Sequence, residues 1–173
     1  MSTQSPEPMC PLDSDEECLW RALQRMMVAL PRALDEDLLH ATGLSLTQYI
    51  VLAHLSEADG NSMRMTELAA AAALSASRIT RVVGTLRDQG LVTKRRHCAD
   101  ARGYVTELTE AGRLRLAGAY PAHLASARRR VMGRLDPALL QGLAEQMQSV
   151  AALLQSPREQ GAAGDGGEGA TLP

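Results

Sequence analysis

The sequence predicts a mainly α-helical chain with one small β-hairpin, and three observations carry that prediction. After Thr66 an Ala-rich helical segment runs to Ala73, and beyond Leu74-Ser75 a second segment places Ile79, Val82, Val83 and Leu86 at i, i+3, i+4, i+7. Two short strand-like runs, Leu91 to Arg96 and Tyr104 to Leu108, then flank the small, positively charged loop His97 to Gly103. Long apolar stripes occupy both ends: Leu23, Met27, Leu30, Leu34 and Leu38 on one side, Leu140, Leu143, Met147, Val150 and Leu154 on the other. Helix, turn, helix and hairpin in that order form a helix-turn-helix followed by a wing, an arrangement whose ordinary use is to read duplex DNA. The expected fold is a winged helix-turn-helix domain with N- and C-terminal dimerisation helices.

Each element has a local signal. Residues 1–12 carry Pro, Ser and Gln without periodicity and read as a disordered tail. Helix is expected from about Asp13 to Thr42, closed by Gly43, with a kink or a boundary at Pro31. Ser45 and Gln48 form a capping box for the next helix, with Leu44 and Tyr49 as its hydrophobic staple, and that helix should reach about Ala58. Asp59 to Ser62 is a turn cluster and Met63 to Met65 a minimal strand. Thr66 is expected to cap the Ala-rich helix, whose small side chains let its successor cross closely, and Ser75 to cap that successor, which ends at Gly90. Thr109 begins a long helix with a kink expected at Pro121, and Asp136-Pro137 restarts the chain as N-cap and first helical residue. Beyond Pro157 the Gly-rich sequence reads as a second disordered tail. The organisation expected is thus a tail over 1–12, one domain over 13–156 and a tail over 157–173. Within the domain, dimerisation helices span about 13–42 and 109–156, and a DNA-binding lobe about 45–108.

A chain of 173 residues supports one core, and its net charge of -2 points to no partner by itself. The distribution is informative, because a local basic patch supplies phosphate contacts whatever the total. Arg78, Arg81, Arg87, Lys94, Arg95, Arg96 and Arg102 face only Asp88 and Asp100 in their stretch, whereas Asp13, Asp15, Glu16, Glu17, Asp35, Glu36 and Asp37 make the N-terminal part acidic. Cys10, Cys18 and Cys98 show no CxxC spacing, which argues against a disulfide framework or a structural zinc site. No run is long and apolar enough to span a bilayer, so a cytoplasmic protein is expected. There is no G-x-S-x-G, no phosphate-binding Gly loop and no HExxH, so no enzyme chemistry, metal or cofactor is indicated.

Gly43-Leu44-Ser45 through Leu55, Thr66-Glu67-Leu68-Ala69, Ser75 to Leu86, Gly90-Leu91-Val92, Asp100-Ala101-Arg102 and Leu108-Thr109-Glu110-Ala111-Gly112 occur in this order. With these motifs the chain, over about Leu19 to Leu154, resembles the MarR family of bacterial transcriptional regulators. The resemblance implies a winged-helix homodimer that binds a palindromic operator, usually represses nearby genes, and is released by a small phenolic or other ligand or by oxidation.

The candidate DNA contacts follow from chemistry and position. Ser75 and Ser77 stand at a helix N-terminus, where backbone N–H groups and hydroxyls meet phosphate, and Arg78, Thr80 and Arg81 can reach base edges in the major groove. Lys94, Arg95, Arg96 and His97 suit the DNA backbone, and Arg102 suits a narrow minor groove, where a guanidinium is drawn by focused negative potential. Asp100 should orient an arginine and not touch DNA; the family's D-x-R wing pair falls on Asp100 and Arg102.

Trp20, Met26, His40, Tyr49, Arg64 and His123 are candidate lining residues for a small-molecule effector pocket between the dimer helices and the DNA-binding lobe, where the family resemblance puts it. Two alternatives stay open. One is a redox-responsive regulator of the same fold: Cys98 lies among Arg95, Arg96 and His97, a setting that lowers a thiol pKa, and Cys18 lies near the start of the first helix. The other is a helical protein-interaction module without specific DNA binding, which the arginines on helix and wing disfavour, since protein-docking faces more often carry apolar anchors.

Overall fold

Asp13 starts the first helix, α1 (Ser14–Thr42), by accepting hydrogen bonds from the backbone N–H groups of Asp15 and Glu16, while the Glu16 carboxylate accepts from the Asp13 N–H. The computed structural model describes residues 10–96 and 104–155, with the backbone alone at Arg96 and Gln155. It divides into two units, one ending at Gly133 and one beginning at Arg134.

In the first unit α1 is one helix through Pro31, so of the kink or boundary expected there the boundary is absent. Proline removes one backbone donor, and the helical bonds on either side keep both halves in one element. Gly43, at φ 72°, closes α1 in the left-handed conformation. The capping box of Ser45 and Gln48 opens α2 (Leu46–Glu57), and the staple residues Leu44 and Tyr49 are both buried. A single 3₁₀ turn over Asp59–Asn61 leads into β1 (Ser62–Arg64).

Two expectations about the next helices are corrected. α3 (Met65–Ala71) starts one residue before Thr66, and the Glu67 carboxylate, not the Thr66 hydroxyl, satisfies the free end by accepting from the Arg64 N–H at 3.2 Å. Arg64 is held extended by pairing with Val105, and that long-range contact fixes where the helix can begin. Nor do all five alanines pack. Ala69 is buried, but Ala73 sits at φ 52° in the turn, where the Ala73 N–H bonds the Ala70 carbonyl and the Leu74 N–H bonds the Ala69 carbonyl. This paired closure satisfies the last carbonyls of α3 and directs the chain into α4 (Ala76–Asp88).

α4 buries Ile79, Val83 and Leu86 and half-buries Val82, as its periodicity requires. Gly90, at φ 73°, turns the chain into β2 (Val92–Arg96), which pairs antiparallel with β3 (Tyr104–Leu108); β1 pairs with the other edge of β3, giving the order β1-β3-β2. Thr106, central in that sheet, is fully buried and donates its hydroxyl to the Met65 sulfur. Thr109 caps α5 (Glu110–Arg130), another helix that passes through its proline, Pro121, unbroken. The core gathers Leu38, Leu44, Leu52, Leu55, Leu68, Leu86 and Leu108 between α1, α2, α3, α4 and the sheet, and each such side chain contributes about 1.5–3 kcal/mol on removal from water.

In the second unit Asp136 accepts from the Ala138 N–H, and Pro137 begins a 3₁₀ turn that continues as α6 (Leu140–Gln155). No helix among the described residues is long and apolar enough to cross a membrane.

Candidate nucleic-acid interface

The site is built on α4. Its inner face is spent on the core, which fixes its rotation and leaves Ser75, Ser77, Arg78, Thr80, Arg81 and Thr85 exposed on the other side. Three of those hydroxyls serve the helix itself: Ser75 accepts from the Arg78 N–H at 3.3 Å, Thr80 donates to the Ala76 carbonyl at 2.8 Å, and Thr85 donates to the Arg81 carbonyl at 3.2 Å. Ser75 and Ser77 hydroxyls lie 3.2 Å apart, so the N-terminal end of α4 presents a linked hydroxyl pair. Neither the Arg78 nor the Arg81 guanidinium is in an ion pair among the described residues. Two full positive charges therefore stand on a face with no other assigned task.

The wing adds cations on both sides of its hairpin. Pleating sends successive side chains to opposite faces, and the register pairs Lys94 with the buried Thr106 and Arg95 with Val105. Lys94 lies over the Tyr104 ring at 4.2 Å from its centroid, and Arg95 Nε is 3.0 Å from a Glu107 carboxylate oxygen. Of the remaining wing candidates, the Arg96 side chain, His97, Cys98, Asp100 and Arg102 lie outside the described residues.

Position of this lobe is set by polar ties to the long helices. The Asp35 carboxylate accepts from the Leu46 N–H at 2.7 Å, which joins α1 to the start of α2. Asp37 accepts from Ser126 Oγ, from Arg129 Nη2 at 2.6 Å and from Arg130 at 2.7 and 2.8 Å, which joins α1 to the end of α5. The Arg130 bonds foremost, then that of Ser126, hold the Asp37 carboxyl well below the usual carboxylate range. Arg115 on α5 also donates to the Thr42 carbonyl at the end of α1.

A cleft of about 470 Å³ opens between α1, α2 and α4, lined by Pro31, Arg32, Asp35, Thr47, Arg78 and Arg81 among others. The residues expected to line an effector pocket are elsewhere. Trp20, Met26 and His40 are exposed on α1, and Arg64 is exposed on β1, where it lies 4.0 Å from Glu67. Only Tyr49 and His123 come together, stacked with centroids 4.4 Å apart. Residue type suggested the six; membership of a wall depends on rotation about each helix, and the cleft falls on the turn of α1 that holds Pro31, Arg32 and Asp35. A signal for Asp35 was available: the free N–H groups at the start of α2 need acceptors beyond Ser45.

His123 Nδ1 is buried without a hydrogen-bond partner among the described residues, and burial pushes its pKa down. Because the folded value lies below the unfolded value of about 6.5, the fold favours neutral imidazole, and stability is lost as pH falls below that point. His123→Phe is expected to flatten the decline in melting temperature between about pH 7.5 and about pH 5.5; an unchanged pH profile would remove His123 as its source.

A helix-turn-helix and an adjoining antiparallel wing, with arginines on the outer face of the second helix, define a winged-helix DNA-binding protein. The MarR family model matches residues 42–103, and the chain belongs to that family of transcriptional regulators. Sco3205, a MarR family transcriptional regulator from Streptomyces coelicolor solved in complex with DNA, is 32% identical over 90% of this chain and 96% of its own, with a TM-score of 0.80. AbsC from the same organism, also a MarR family regulator, is 32% identical over 86% of this chain and 100% of its own, at 0.77. CouR from Rhodococcus jostii RHA1, solved bound to p-coumaroyl-CoA, shares the fold at 24% identity and a TM-score of 0.66, over 80% of this chain and 92% of its own. No curated protein sequence matches the chain.

Proposed function

We propose that the protein is a homodimeric repressor that binds a palindromic operator through α4 and the wing and is released by a small-molecule effector. The observation that carries the reading is the pair Arg78 and Arg81, exposed and without an ion pair among the described residues on the outer face of a helix locked by its inner face. Ser75, Ser77 and Thr80 complete the α4 contacts in this reading. Lys94, Arg95, Arg96 and Arg102 supply backbone and minor-groove contacts, and Asp100 orients the wing.

Dimerisation is supported by apolar surface that a monomer would leave wet. On α1 Leu19, Trp20, Met26, Met27 and Val28 are exposed, and on α6 Leu153 and Leu154 are 75% and 82% exposed. The effector reading places the ligand in the cleft beside Arg32, Asp35, Arg78 and Arg81, and not at the six residues named from the sequence. CouR offers fold-level support, since that protein is bound to p-coumaroyl-CoA. Cys18, a candidate of the redox alternative, is exposed near the start of α1.

The test is a footprint on DNA upstream of the protein's own gene, run beside light scattering. A dimer protecting two half-sites about 34–36 Å apart is the expected result; a monomer, or protection without two-fold symmetry, would overturn it.

A further inference from the structure

We propose that Glu107 is a positioning residue of the wing, one whose carboxylate holds the Arg95 guanidinium along one face of the hairpin and restrains its engagement of DNA phosphate. The proposal rests on the reading above, that cations of β2 contact the DNA backbone.

The register places Glu107 opposite Thr93 and Arg95 opposite Val105, so Arg95 and Glu107 are diagonal neighbours on one face of the β2-β3 pair. Their Nε to Oε2 distance is 3.0 Å, and the side chains are 60% and 39% exposed. An ion pair so open to water contributes little to folding. Its effect on the charge presented to a duplex is larger, because it sets a carboxylate 3.0 Å from the cation. On the other face the arrangement differs. Lys94 stacks on the Tyr104 ring, a neutral partner that orients the ammonium and leaves its charge whole. Two successive cations of one strand thus face opposite ways, one without an ion pair among the described residues and one opposed by a carboxylate.

Arg95 approaches Glu107 through Nε, and its two Nη groups carry four further N–H donors, so Glu107 does not remove it from the interface. The carboxylate aims the remaining fork and repels phosphate that approaches out of register. Glu107 therefore lowers indiscriminate affinity more than operator affinity, and acts on specificity through Arg95.

Full-length wild type, Glu107→Gln, Arg95→Gln and the double variant would be titrated by fluorescence anisotropy against upstream DNA and a scrambled duplex across a salt series. Glu107→Gln is expected to tighten binding to the scrambled duplex several-fold at low salt and to steepen log K against log salt by up to about 0.9. Both changes should vanish in the double variant. Changes that persist without Arg95, or a Glu107→Gln protein with the wild-type slope and the wild-type ratio of affinities, would overturn the positioning role. Wild-type binding with no salt dependence would instead overturn the DNA-contact reading on which the proposal stands.

Discussion

Arg81→Ala is expected to weaken operator binding by about 5- to 150-fold, the equivalent of about 1–3 kcal/mol for one base-reading arginine. Arg81 extends from the exposed face of α4 and has no ion pair among the described residues, so truncation removes the proposed DNA contact without stranding a buried partner. The loss should be largest on the operator and smaller on scrambled duplex, because a base contact carries discrimination that a phosphate contact lacks. Arg32→Ala provides the counterpart. Arg32 shares the cleft with Arg81 but belongs to α1, so its removal should spare DNA affinity and alter only the response to an effector. Anisotropy titrations of both variants decide the matter; equal affinity of Arg81→Ala and wild type for the operator would exclude this face of α4.

Gly112→Ala is expected to lower stability by about 3 kcal/mol, at the upper end for overpacking, and the melting temperature by about 10 °C. A Cβ built at Gly112 meets the Leu91 carbonyl oxygen at 2.1 Å and Leu108 Cδ1 at 2.7 Å. The carbonyl has little freedom to retreat, because it accepts a hydrogen bond from the Thr109 N–H at 3.1 Å while Thr109 Oγ1 donates to the Gly90 carbonyl at 2.8 Å. The first turn of α5 is thus seated on the base of the wing with no space for a methyl group. Gly118→Ala, at a helical position with nothing within 4 Å of the added carbon, should instead stabilise by up to about 1 kcal/mol through helix propensity. Thermal melts followed by circular dichroism compare the two directly, and equal melting temperatures would refute the packing argument.

Where a signal is local, the chain could be read directly. Ser45 with Gln48, Ser75, Gly90, Thr109 and Asp136 are caps whose partners lie within a few residues, and each performs the expected task. The burial of Ile79, Val83 and Leu86 followed from period alone. Failures occurred where a distant segment decides. Arg64 displaced Thr66 from the cap of α3 because β1 pairs with β3, more than forty residues later in the chain. Of the effector residues named by type only Tyr49 and His123 stack, and none of the six lines the cleft, because no sequence rule gives the rotation of α1 against α2 and α4. Glu107 passed unnoticed because a charge on a strand's outer face reads as solubility; aligning Leu91–Arg96 against Tyr104–Leu108 across their loop would have set it diagonal to Arg95.

The capping turn of α1 has a consequence at long range. Asp13, Asp15, Glu16 and Glu17 cluster at the start of a helix of 29 residues, which at 1.5 Å per residue puts them roughly 40 Å along the axis from the glycine that leads into α2. Ions damp electrostatic interaction over about 8 Å in the cell, so this negative pole cannot cancel the arginines of α4. At the near end Asp35 and Asp37 are already occupied by Leu46 N–H and by Ser126, Arg129 and Arg130, which leaves Glu36 as the exposed carboxylate of that turn. Within the first unit α1 is in this way electrically polar, with its acidic start set far from the arginines of α4. That unit would meet DNA already turned to the productive orientation, and added salt would then slow the encounter more than it hastens the departure.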